Sequence, residues 1–196
     1  MPPYISRMDE LLDLVGKHDP VLGKERLGRY NIRDNFFKFW YKFIFPNQTA
    51  LNLGNDKLIL KLIEENLNSY VGRIFEDIVK ELLVLYLNKK IKGVEINFEN
   101  IGSWWDRTGN EIDIVAYNEK EKKILVGEVK WTNTLAETSL LDDMIAKSKS
   151  INFNGRYQYL LVSKAGFTDE CLAKMKQLNV LYLELNEITK LFDEAV

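Results

Sequence analysis

Three short segments hold most of the chemistry in this chain: Glu111-Ile112-Asp113, Gly127-Glu128-Val129-Lys130, and Gly72 to Glu76. Together they supply carboxylates with one lysine beside them. Carboxylate oxygens suit a hard divalent cation such as Mg²⁺ or Mn²⁺. An ammonium next to them suits a water or a phosphate undergoing attack. That set is what a metal-dependent phosphodiesterase requires.

The elements that must position these groups follow from periodicity. Ile114-Val115-Ala116-Tyr117 and the run Ile124 to Trp131 alternate with period two, and polar residues 118–123 separate them. The spacing predicts an antiparallel hairpin. With the turn centred between Lys120 and Glu121, Tyr117 faces Ile124, Val115 faces Val126, Asp113 faces Glu128 and Glu111 faces Lys130. Glu111, Asp113, Glu128 and Lys130 then share one face. Ile112, Ile114, Ala116, Leu125, Gly127, Val129 and Trp131 take the other. A slip of one residue would undo this. Upstream, Phe75, Ile78, Val79, Leu82, Leu83 and Tyr86 recur three and four apart, which predicts an amphipathic helix over 72–88. Glu76 sits at the edge of its apolar stripe. Two readings stand side by side at this stage: a site, or solvated cross-strand pairs. The aliphatic flanks of Glu128 and Lys130 favour the first, since a buried strand has little use for charge.

Composition narrows the chemistry further. One Cys171 and one His18 leave no disulfide, no Cys/His zinc cluster and no Cys–His or Ser–His pair. No run reaches the ~18 apolar residues of a membrane span. The first residues have no leader character, so a cytoplasmic location is expected. Net charge is -2 and the pI is about 5.6, which argues against a broad basic surface. A local one remains: between Lys17 and Lys42 seven bases stand against three acids.

In this order, the motifs resemble a known family. Asp113, then Glu128-x-Lys130, with Glu76 on a preceding helix, resembles the PD-(D/E)xK nuclease superfamily. Over nearly the whole chain the resemblance is to the C-terminal nuclease-like region, of unassigned function, of archaeal AAA-type ATPases. It rests on Tyr30-Asn31-Ile32-Arg33-Asp34 with Phe39-Trp40, Gly72-x-x-Phe75-Glu76, Ile101-Gly102-x-Trp104-Trp105-Asp106, Glu111 to Val115 and Gly127 to Trp131. The resemblance implies an α/β (α+β) fold: a restriction-endonuclease-like core with a mixed sheet flanked by helices. It implies a partial winged-helix-like segment over 1–46 and a nuclease-like domain over 47–196. It implies that Asp113, Glu128 and, directly or through water, Glu76 hold Mg²⁺ or Mn²⁺, with Lys130 completing the catalytic set. Nucleic acid, most naturally DNA, is the implied partner, and an ATPase subunit a second one. No Gly-x-x-x-x-Gly-Lys-Ser/Thr occurs here. The expectation is a truncated form of the longer protein, or a chain working beside a separate ATPase.

The remaining elements read as a helix over 6–15, a polar wing-like hairpin over 17–30, an aromatic helix over 36–45 and a short helix over 58–67. After helix 72–88 come strands 94–101, 111–117 and 123–131, helix 135–150, strand 156–163, helix 168–178, strand 179–184 and helix 186–194. The aromatics at 36, 40 and 43 share a helical face, so core packing is favoured over base stacking. Trp104 and Trp105 fall in a loop, where they either meet a base or partner or cover the sheet edge. Lys147 and Lys149 could touch a phosphate backbone, but a solvated helix face is the favoured reading for both. Two functions follow: a metal-dependent nuclease acting on DNA, or an inactive nuclease fold serving as a DNA-binding or protein-interaction module. The low pI supports the second, and the presence of all four site residues supports the first.

Overall fold

The computed structural model describes Met8, residues 13–23 and residues 27–195. The expected helix over 6–15 falls mostly outside these residues; Val15, its last member, opens a strand. That strand, β1 (Val15–His18), pairs antiparallel with β2 (Arg29–Ile32). This is the polar hairpin that Gly and Pro punctuation predicts.

Next comes α1 (Asn35–Phe39), whose N-cap Asp34 accepts the Phe37 amide. A π-helical turn over Trp40–Ile44 and a 3-10 turn over Phe45–Asn47 follow, then α2 (Gln48–Asn52). The change of pitch defeats the expected aromatic face. Phe43 is buried, but Phe36, Tyr41 and Phe45 are exposed, with Phe36 lying stacked on Trp40. Core packing therefore holds for only part of the cluster.

The two helices expected over 58–67 and 72–88 are one, α3 (Asp56–Leu85). Thirty residues make a rod of about 45 Å. Neither Gly72 nor the Asn68-Ser69 pair breaks it, because a single weak helix former costs only ~1 kcal/mol against the apolar face that anchors the second half. Beyond it a small ribbon, β3 (Lys89–Ile91) with β4 (Val94–Ile96), replaces the first half of the strand expected over 94–101.

The central sheet has five strands in chain order: β5 (Asn100–Trp105), β6 (Glu111–Asn118), β7 (Lys123–Lys130), β8 (Arg156–Ser163) and β9 (Leu181–Glu184). β5, β6 and β7 run antiparallel; β7, β8 and β9 run parallel. The two parallel steps are bridged by α4 (Thr138–Ser148) and α5 (Asp169–Gln177), as parallel pairs require. Thr168 caps α5 by accepting the Cys171 amide, and Asp169 and Glu170 sit in its first turn, where they favour the helix dipole. α6 (Leu185–Ala195) ends the described chain. The result is the expected α+β class: a mixed sheet flanked by helices.

Each face of the sheet has its own core. Phe75, Val79, Leu82 and Leu83 of α3 and Ile188 of α6 cover Ile114, Val129, Leu160, Val162 and Leu183. Leu141 and Met144 of α4 with Cys171 and Met175 of α5 cover Ile112, Val115, Val126 and Leu161. No helix among the described residues is long and apolar enough to cross a membrane.

Candidate active site at a fork in the sheet

The expected hairpin register is the observed one: Val115 pairs with Val126 and Tyr117 with Ile124. The paired run ends at Ile114 opposite Gly127. Gly127 makes that last pair close. A Cβ there would lie 3.3 Å from the Cβ atoms of Ile114 and Leu160, so the neighbours would have to give way. Past this point β6 stays on β5, through Trp104 opposite Ile112 and Trp105 opposite Glu111. β7 stays on β8, through Lys130 opposite Ser163. The sheet therefore forks, and Asp113 stands in the fork. Its Oδ2 accepts the Val129 amide at 2.9 Å, a backbone donor that has no partner residue on β6.

β6 also carries a bulge here. Gly102 pairs with Val115 but Trp104 pairs with Ile112, so Asp113 and Ile114 together oppose Ser103. The Ser103 hydroxyl ties the bulge down by donating to the Asp113 carbonyl at 2.9 Å. One extra residue reverses the alternation. Ile112 and Ile114, expected on one face, enter opposite cores. Glu111 is re-aimed with Ile112. It does not face Lys130 as expected; its partner is Arg29 of β2 at 3.0 Å.

Glu128 is only 2% exposed. A carboxylate so buried needs positive partners. Lys130 Nζ lies 3.4 Å from its Oε2, and Lys147 Nζ of α4 lies 3.1 Å from its Oε1. Sequence reasoning singled out Lys147 as a phosphate contact or a solvated residue, but not as a partner of Glu128. The phase of Lys147, three after the buried Met144 and one before the buried Ser148, placed it near the core edge. That signal was present but shared with Lys149, which is exposed.

Burial, then the neighbouring Glu128 and Glu76, push the Asp113 carboxyl up to about 7, against the pull of the Val129 amide and Lys130. Burial likewise lifts Glu76 to about 7; Asp77 and Glu111 add to the rise, while Lys80 and Arg73 oppose it. Asp113, Glu128 and Lys130 thus converge, and Glu76 acts on Asp113 through its charge. Among the described residues, no three Asp, Glu, His or Cys side chains form a group that could hold a metal. Two adjacent carboxylates still fit Mg²⁺, which binds through one or two carboxylates, retained waters and substrate oxygens rather than an all-protein cage. Such an ion would offset the burial, and the repulsion added to it, that lift Asp113.

The tryptophans are not a loop feature. Both belong to β5 and are buried. Trp105 Nε1 donates to the Leu27 carbonyl, and Arg29 lies over its ring. Val21 donates its amide to the Ser103 carbonyl. Covering the sheet edge, beneath the β1–β2 hairpin, is the reading the contacts support. An open cleft lined by Asn110, Asp143, Ala146, Lys147 and Ser150 leads from the solvent to Lys147.

Comparison with known proteins adds kinship and no activity. An uncharacterized protein of Methanocaldococcus jannaschii is 34% identical over 166 residues, covering 83% of this chain and 36% of that protein. The chain therefore spans little more than a third of the length of that relative. No solved structure matches it. A family model described as archaea bacterial proteins of unknown function, DUF234, matches residues 40–141, from the π-helical turn through both forked strands to the first residues of α4. On that match the chain belongs to the DUF234 family.

Proposed function

We propose that the chain is a divalent-metal-dependent nuclease-like protein of PD-(D/E)xK type, acting on DNA through the fork between β6 and β7. One observation carries the reading: where the sheet opens, Asp113 accepts the amide of Val129, the residue next to Glu128, and Lys130 pairs with Glu128. Asp113 and Glu128 would hold the ion, with Glu76 reaching it through water. When bound, Mg²⁺ or Mn²⁺ supplies acidification of water and charge neutralisation at phosphate.

The chain's own groups do the rest. The Val129 amide fixes the orientation of Asp113. Lys130, with its side chain 40% exposed, can move its ammonium from Glu128 toward an attacking water or a phosphate oxygen. The resemblance to the C-terminal region of archaeal ATPases adds an ATPase as the proposed partner, and a winged-helix-like role for the segment to residue 46.

The test is purified chain with plasmid and branched DNA, Mn²⁺ or chelator, and calorimetry. Cleavage and Mn²⁺ binding are both expected, and both are expected to vanish in Asp113→Ala and Glu128→Gln. Cleavage that persists in these variants would place the activity elsewhere. Wild-type chain that neither binds Mn²⁺ nor nicks nucleic acid would favour the inactive binding module, which the low pI supports.

A further inference from the structure

We infer that Lys147 is a displaceable counter-ion: it neutralises Glu128 while no divalent ion is bound, and yields that place when one arrives. The inference rests on the metal reading of the fork. Glu128 is buried, and each of its oxygens already has an ammonium. An ionised carboxylate in that position cannot stand without positive charge. The two lysines differ in origin. Lys130 is anchored on the same strand, two residues away. Lys147 comes from another element, α4, and is the closer of the two, at 3.1 Å against 3.4 Å.

A divalent ion held by Glu128 would bring positive charge beside the Lys147 ammonium, which lies 3.1 Å from that carboxylate. Two positive groups so close repel, and the low dielectric around a buried carboxylate strengthens the repulsion. One must leave, and Lys147 has a place to go. Its side chain is 35% exposed and lines the open cleft with Asn110, Asp143, Ala146 and Ser150. A flexible four-carbon stem lets the ammonium swing without moving the helix. At the cleft mouth it meets the phosphodiester that approaches the fork. Lys147 is thus a positioning residue: its contact holds the Glu128 carboxylate in place before the ion binds.

The experiment is Mn²⁺ binding to the full chain, followed by electron paramagnetic resonance of free Mn²⁺, with a thermal melt of each variant. Lys147→Met is expected to bind Mn²⁺ about tenfold or more tighter, on the scale of one unit charge removed from beside a divalent ion. Lys147→Arg, which keeps the charge, is expected to bind like wild type. Lys149→Met, on the same helix end but exposed, is expected to change nothing. If Lys147→Met melts far below wild type, Lys147→Gln serves in its place. Equal or weaker Mn²⁺ binding in a folded Lys147 variant, with wild type binding normally, overturns this inference alone. Absence of Mn²⁺ binding in both wild type and Lys147→Met overturns the metal site and this inference with it.

Discussion

The two ends of the central sheet are both crowded with charge, yet they treat it in opposite ways. At the turn end, Lys123 meets Glu95 at 3.2 Å and Glu121 at 2.5 Å, Lys120 meets Glu99, and Asn97 donates to Glu121. These groups are solvated and matched. The Glu121 and Glu95 carboxylates push the Lys123 ammonium up, so its charged form is favoured. At the fork end Glu128 is buried against two ammonium groups, and Asp113 and Glu76 are half-buried beside further carboxylates. Asp113 and Glu76 are pushed up, so their charged forms are disfavoured. Each end has an open cleft beside it, and the two are nearly equal, at about 360 Å³ and 350 Å³. Cleft size therefore does not choose between them. The cost of charge does: one end stabilises its ions, and the other keeps carboxylates whose relief requires something from outside.

The largest effect that would sharpen this contrast is on cleavage. Lys130→Ala should lower any metal-dependent cleavage by about a hundredfold or more, while sparing or strengthening Mn²⁺ binding. Lys123→Ala, a similar loss of charge at the turn end, should leave the rate alone. Equal losses in the two variants would dissolve the distinction between the ends.

Next is a pH effect on stability. The folded Asp113 carboxyl titrates near 7, against 3.8 as an ordinary aspartate. The folded chain thus holds a proton there that the unfolded chain releases. This stabilisation is complete below about pH 4 and is lost as pH rises through 7. Asp113→Asn should therefore match wild type near pH 4 and exceed it at pH 8, by on the order of 1–3 kcal/mol. Chemical denaturation at the two pH values measures it. A constant offset between the variants would place the cause outside titration.

A smaller effect lies beside Lys130. Ser163 is fully buried on β8 and its hydroxyl has no partner among the described residues. Ser163→Ala removes an unsatisfied group, so it should raise stability by about 1 kcal/mol. A loss in the same melt would mean that the hydroxyl is hydrogen-bonded in solution. The smallest effect returns to the turn end. Lys123→Ala should leave the melt close to that of wild type, because its partners are solvent-screened.

How far the sequence foretold this structure differs between the two ends. The register from Ile114 to Asn118 follows from alternation and a short polar turn, both local, and it was legible. So was the convergence of Asp113, Glu128 and Lys130. The bulge was not, because it is defined by the register of β5 against β6, and nothing in residues 111–115 alone marks the extra residue. Glu111 was misassigned for that reason, and Ile112 with it. Trp104 and Trp105 looked like loop residues because β5 carries small and polar residues, Asn100, Gly102 and Ser103, before them. Their burial depends on a hairpin more than seventy residues earlier. The unbroken α3 and the π-helical turn before it were hidden likewise, since tertiary packing overrode weak local breakers. The alternative of solvated charge pairs was made of the fork residues, and there it describes Glu111, exposed against Arg29, and not the buried Glu128.

The bulge makes the site sensitive to length as well as to identity. A substitution at Ile114 would alter packing, but deleting it would restore a strict two-residue repeat along β6. Ile112 would keep its face, two residues from Val115, but Asp113 would take the place of Ile114 opposite Gly127. Its carboxyl would then turn into the core that Ile114 now fills beneath α3. A single-codon deletion would thus close the fork and bury a charge, although neither Asp113 nor Glu128 had been substituted. Tolerance to insertions and deletions in this strand should accordingly fall to its minimum between Ile112 and Val115, in a segment where conservative substitutions are absorbed.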